Sequence, residues 1–158
     1  QTARTLGVSL SRLLRANTEI RTQIPDLSIV APATGGLPAA YGVCEALRAR
    51  RVYWAEREGD ARKLRFRQFI EPCPGEPVVI VDDILRSGES LAELKALLES
   101  YGAIVVAMAV IIYQPTPKTK HFGDLPLFHL VRREANYYSD ANACELCARS
   151  LPVETVWV

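Results

Sequence analysis

Asp82 and Asp83 stand side by side after the apolar run Val78-Val79-Ile80-Val81, and Ile84-Leu85-Arg86-Ser87-Gly88-Glu89-Ser90 follows them. Two adjacent carboxylates repel each other unless a metal, a cation or a hydroxyl-rich ligand offsets the charge. Four apolar residues in a row fit a parallel strand covered on both faces. Leu91, Leu94, Leu97, Leu98 and Tyr101 then recur at helical spacing, so a helix is predicted to begin at or near Gly88. Its first amides have no partners inside the helix and carry the positive end of its dipole. Ser87, Gly88 and Ser90 add hydroxyl donors and let an anion approach closely. The chemistry implied is a phosphate cradle with two carboxylates beside it, at the carboxyl end of a strand, where open α/β sheets bind ligands. The plainer alternative is a βα unit whose Asp82 and Asp83 cap the helix or face solvent. A Walker A loop is excluded because no Gly-Lys-Ser/Thr follows, and the Gly-x-Gly-x-x-Gly spacing of a dinucleotide fold is absent.

A second turn has the same character. The short strand predicted over Leu27–Val30 leads into Ala31-Pro32-Ala33-Thr34-Gly35-Gly36-Leu37-Pro38. Two glycines between a strand and a helix give a sharp turn with an open backbone, and Pro38 suits the first turn of a helix running to about Arg50. A strand over Val52–Glu56 ends in a basic stretch, where Arg57, Arg62, Lys63, Arg65 and Arg67 supply five of the 19 basic residues. Read plainly this is a solvated hairpin with Gly59-Asp60 at its tip. Its functional reading is a cationic flap over a leaving anion.

The two turns together resemble the signatures of type I phosphoribosyltransferases. Residues 78–90 match the ribose-phosphate signature, and Pro32-Ala33-Thr34-Gly35-Gly36-Leu37-Pro38-Ala39-Ala40 looks like the pyrophosphate loop of the orotate branch. The resemblance covers Ala31 to Leu98 and implies an open, mostly parallel sheet with helices on both faces. It implies transfer of a 5-phosphoribosyl group from phosphoribosyl pyrophosphate to a nitrogenous base, with Asp82 and Asp83 at the ribose. Ser87, Gly88, Glu89 and Ser90 would hold the 5′-phosphate, and Thr34, Gly35 and Gly36 would face the diphosphate. Arg57 and Lys63 would be the cations of the flap. It also implies Mg2+ carried by the substrate near Asp82 and Asp83 without direct side-chain ligation, small-molecule partners only, and a homodimer.

Three departures concern the base. Arg86 stands where the orotate branch usually has Thr, Tyr113-Gln114 where it usually has Asp-Arg, and the N-terminal segment that covers the base is unrecognisable. The sequence opens on Gln1 rather than Met, so the expectation is a chain that has lost an N-terminal piece and with it that hood. A regulator that binds phosphoribosyl pyrophosphate or a nucleotide without catalysis, or a transferase for another base, stays open as an alternative.

Elsewhere the residues carry less chemistry. Leu6, Leu10, Leu13 and Leu14 predict a first amphipathic helix, Ile104–Ile112 a buried strand, and Leu125–Val131 a further strand holding His129 as a core or edge residue. Gln114-Pro115-Thr116-Pro117-Lys118-Thr119-Lys120 reads as an irregular loop. Cys144 and Cys147 have metal or redox spacing, but Cys44 and Cys73 fall in unrelated elements, and a zinc site needs about four ligands. A length of 158 residues fits one domain, 1–158, and a net charge of +1 gives no case for nucleic-acid or membrane partners. Four scattered cysteines suggest a reducing cytoplasm.

Overall fold

The computed structural model describes residues 2–57, 63–67, 71–138 and 140–152. Helices α1 (Thr2–Ala16) and α2 (Thr18–Gln23) meet at Asn17, whose side-chain oxygen accepts from the Ile20 amide and so starts α2. There follow β1 (Ser28–Pro32), α3 (Leu37–Leu47), β2 (Arg51–Arg57), β3 (Leu64–Phe66), β4 (Pro77–Leu85), α4 (Glu89–Ser100), β5 (Ile104–Tyr113), β6 (Leu127–Arg132) and the short α5 (Glu145–Ala148). The sheet order is β3-β2-β1-β4-β5-β6. Every neighbouring pair is parallel except β2 with β3, which form the expected antiparallel hairpin. Its Gly59-Asp60 tip lies outside the described residues, as does Arg62.

The chain steps one way from β1 to β2 and the other way from β1 to β4. That reversal opens a crevice between the carboxyl ends of β1 and β4, and both motifs leave the sheet there. Successive residues of β4 explain why the run is apolar without alternation. Val79 and Val81 pack with Leu10 and Leu14 of α1 and with Ala40 and Val43 of α3. Val78 and Ile80 pack on the other face with Leu91, Leu94 and Leu98 of α4. The far pole of the sheet is tied by Glu76, a buried carboxylate that accepts from the Ser28 and Tyr53 hydroxyls and the Cys73 amide, which satisfies an otherwise costly charge.

The first helix is turned differently from the leucine pattern. Its buried face is Gly7, Leu10, Ser11 and Leu14, while Leu13 is exposed. The cause is a close crossing: a Cβ on Gly7 would stand 2.4 Å from the carbonyl carbon of Gly42 in α3. Two facing glycines let the helices touch backbone to backbone, and the i, i+3, i+4, i+7 stripe is centred on that contact. Elsewhere the expected elements hold to within a few residues. β1 starts one residue late and runs on to Pro32, and α3 stops at Leu47 with Arg48 in the left-handed region at φ 56°.

Candidate functional site

Strand β4 carries Asp82 and Asp83 in its last turn of pleat, and the covalent geometry sends them to opposite surroundings. Asp82 is buried, Asp83 half-buried. Burial pushes the Asp82 carboxyl up to about 7; the amide of Asp83, donating to its Oδ1 at 2.9 Å, pulls down, and the neighbouring carboxylate pushes up again. Asp83 Oδ1 accepts from the Ile84 amide at 2.7 Å. Both carboxylates are therefore oriented by main-chain donors of their own strand, each keeping one oxygen outside these bonds.

The Thr34-Gly35-Gly36 turn lies directly on this pair. A Cβ on Gly35 would stand 2.6 Å from Asp83 Oδ2, and one on Gly36 would stand 2.9 Å from Asp82 Oδ1 and 3.0 Å from the Val81 carbonyl oxygen. Both glycines are required by close approach. The turn is fixed at its base, where the Ala33 amide donates to the Ala55 carbonyl of β2 at 2.8 Å, and at its exit, where Gly36 O accepts from the Ala40 amide. The Ala33–Thr34 peptide is cis. The amides of Thr34, Gly35 and Gly36 donate to no other described residue. Three main-chain amides without a described acceptor thus belong to a turn that lies against two carboxylates, a composition that suits an anion carrying hydroxyls.

The second candidate cradle is the β4–α4 turn. Gly88, at φ 78°, supplies the left-handed residue just before Glu89. The Ser87 hydroxyl accepts a long bond from the Glu89 amide, and Asp82, Ser87, Gly88, Glu89 and Ser90 all border one cavity of about 100 Å³. The volume is about that of a small anion and little more. Sequence reasoning missed what props this turn. The Thr119 hydroxyl donates to Arg86 O, the Lys120 amide donates to Ser87 O at 2.9 Å, and Phe122 stands 3.2 Å from a Cβ built on Gly88. The proline-rich loop after β5 is thus a buttress. Its threonine, lysine and phenylalanine carry no local signal for that task.

Arg86 is exposed and belongs to the border of the same cavity. Arg57 lies at the end of β2 and turns toward α4, where Nη1 pairs with Glu93 Oε2 at 2.8 Å and Nη2 comes within 3.5 Å of Ser90 Oγ. Lys63 is exposed immediately before β3. Of the remaining titratable candidates, His129 packs its ring 5.5 Å from that of Tyr113, with Nδ1 buried and unpartnered among the described residues. Cys144 is the N-cap of α5 and Cys147 lies on it, the helix buries none of its residues, and no cluster of three or more metal-ligating side chains occurs among the described residues.

Comparison with known proteins agrees with this geometry. A family model described as the phosphoribosyl transferase domain matches residues 10–131. Orotate phosphoribosyltransferase of Thermotoga maritima is 36% identical over 149 residues, which is 94% of this chain and 73% of that protein. Orotate phosphoribosyltransferase of Carboxydothermus hydrogenoformans is 32% identical over 151 residues, 96% of this chain and 73% of that protein. Among solved structures, adenine phosphoribosyltransferase of Thermoanaerobacter pseudethanolicus superposes with a TM-score of 0.65 at 20% identity, covering 80% of this chain and 78% of that one. A purine phosphoribosyltransferase of Pyrococcus horikoshii gives 0.60 at 22% identity, covering 82% and 81%. With the family model matching most of its length and the two orotate phosphoribosyltransferases above 30% identity, the chain belongs to the phosphoribosyltransferase family.

Proposed function

We propose that this single-domain chain is an orotate-type phosphoribosyltransferase, which moves the 5-phosphoribosyl group from phosphoribosyl pyrophosphate to a pyrimidine base and releases diphosphate. The observation that carries the reading is the contact of Gly35 and Gly36 with the Asp83 and Asp82 carboxylates. It supports the reading because main-chain donors of one turn lie against the two carboxylates that the reading assigns to the ribose.

Loss of diphosphate leaves an oxocarbenium-like ribose, so the protein's task is positioning and electrostatic stabilisation. Asp82 and Asp83 accept hydrogen bonds from the ribose hydroxyls and lie near the developing positive charge. Ser87, Gly88, Glu89 and Ser90 hold the 5′-phosphate through amides and hydroxyls. Thr34, Gly35 and Gly36 hold the diphosphate through their open amides, while Arg57 and Lys63 add positive charge and help exclude water. Arg86, at the rim, is the candidate for the anionic group of the base. Two carboxylates, each with an oxygen outside its main-chain hydrogen bond, fit Mg2+ held chiefly by substrate and water. Bound there, Mg2+ supplies charge neutralisation on the diphosphate. A homodimer and a cytoplasmic setting belong to the same reading.

A diphosphate-release assay with phosphoribosyl pyrophosphate, Mg2+ and orotate, uracil, adenine or hypoxanthine tests this. Release is expected with orotate above the others. Binding of phosphoribosyl pyrophosphate by calorimetry without release for any base would instead favour a non-catalytic regulator, the reading that Arg86 and Tyr113-Gln114 leave standing.

A further inference from the structure

Glu93 lies one turn into α4, outside every motif the sequence displays, yet both of its carboxylate oxygens are used by the flap. Oε1 accepts from the Leu64 amide at 2.7 Å, and Oε2 pairs with Arg57 Nη1 at 2.8 Å. Arg57 and Leu64 are also the closing pair of the β2–β3 hairpin, directly opposite each other in register. One carboxylate therefore grips both strands at their closing pair. Three residues earlier on the same helix, Ser90 lies within 3.5 Å of Arg57 Nη2. Residues three apart share a helix face, so Arg57 spans from Glu93 to the hydroxyl at the phosphate cradle.

A half-exposed ion pair would be worth little alone: the Arg57 and Glu93 side chains keep 43% and 33% of their exposure. A carboxylate that also accepts from a main-chain amide is better ordered, because two restraints share one side chain. Resting on the transferase reading, we propose that Glu93 is a positioning residue that anchors the flap root to the phosphate-binding helix and aims Arg57 at the 5′-phosphate of the substrate. The closing pair of the β2–β3 hairpin and the cradle are then held by one side chain, so the phosphate end of the substrate is where a loss of Glu93 is felt.

The test compares Glu93→Ala, Glu93→Gln, Arg57→Ala and the Glu93→Ala/Arg57→Ala double variant in the full chain. Glu93→Ala is expected to raise KM for phosphoribosyl pyrophosphate about tenfold and leave KM for the base within about twofold. Glu93→Gln keeps one acceptor oxygen for two donors and is expected to recover only part of that loss, with its NH2 group facing the donor left over. The double variant is expected to be no worse than Arg57→Ala, because the two act as a unit. Hydrogen exchange at the Leu64 amide, expected to speed up in Glu93→Ala, reads the anchor with no ligand present. A merely structural role would lower the melting temperature and move every kinetic constant together. A folded Glu93→Ala protein with unchanged Leu64 exchange, or with losses additive to those of Arg57→Ala, overturns the proposal. If the parent binds phosphoribosyl pyrophosphate but turns over no base, the transferase reading fails alone, and Glu93 is judged on exchange and on binding affinity.

Discussion

The Asp83 carboxylate occupies the space in which a side chain on Gly35 would begin, with Oδ2 2.6 Å from the Cβ position. A loop that must touch one carboxylate of an acidic pair without covering it has only glycine available. Gly36 stands in the same relation to Asp82, at 2.9 Å, with the Val81 carbonyl behind it. The difference between flexible and rigid neighbours separates the two alanine variants. Gly35→Ala displaces the end of a half-buried side chain, so the protein should fold normally while kcat/KM for phosphoribosyl pyrophosphate falls about tenfold or more. Gly36→Ala meets main chain and a buried carboxylate, and should also cost about 1–3 kcal/mol in stability from overpacking. Thermal melts beside the diphosphate assay distinguish them, and a fully active Gly35→Ala protein contradicts the close-approach account.

Removing the charge of the pair tests its role directly. Asp82→Asn with Asp83→Asn keeps shape and most hydrogen-bonding capacity, so circular dichroism and melting should report a folded protein. Turnover should drop by about a thousandfold or more, the scale seen when transition-state electrostatics are removed. Full activity in that double variant would sink the mechanism.

The raised affinity of Asp82 for its proton has a definite sign. Its carboxyl titrates near 7 in the folded chain against an ordinary value of 3.8. The folded state therefore holds a proton that the unfolded chain releases, and this contribution to stability is full below about pH 4 and lost as pH rises toward 7. Asp82→Asn removes the penalty, so its melting temperature relative to the parent should rise between pH 5 and pH 8. Substrate hydroxyls and Mg2+ favour the carboxylate, so affinity for phosphoribosyl pyrophosphate in the parent should climb with pH through 7. The substrate's own phosphate titrates near 6 and contributes in the same direction; the part that vanishes in Asp82→Asn belongs to Asp82. Calorimetry in buffers of different ionisation enthalpy measures the proton released.

A substitution at Arg86 tests whether base and phosphoribosyl recognition are separable. It is exposed at the rim of the cradle, and its main-chain carbonyl, not its guanidinium, takes the Thr119 hydroxyl. Arg86→Ala should therefore leave the turn in place. KM for an anionic base is expected to rise about tenfold, as for loss of one charge-assisted hydrogen bond, with KM for phosphoribosyl pyrophosphate within about twofold. An equal rise in both constants would assign Arg86 to the phosphate.

Chain order and local pattern already held the sheet class, the β4–α4 unit, the two glycine turns and the acidic pair. Each is written in neighbouring residues: an apolar run too short for a helix, a helical leucine spacing, a Gly-Gly step before Pro38. Contacts between distant residues were decided only in three dimensions. Glu93 meets Leu64 across 29 residues and Thr119 meets Arg86 across 33, and neither glutamate nor threonine in a polar stretch announces such a partner. Leu13 looks like core in the sequence and faces solvent because the Gly7–Gly42 contact sets the rotation of α1. The sequence by itself determined which carboxylates, hydroxyls, cations and glycines are present, since that depends on residue type. Tertiary structure alone decided that Gly35 and Asp83 touch and that Asp82 is dry enough to titrate near 7, because burial and close approach are properties of the packed crevice between β1 and β4.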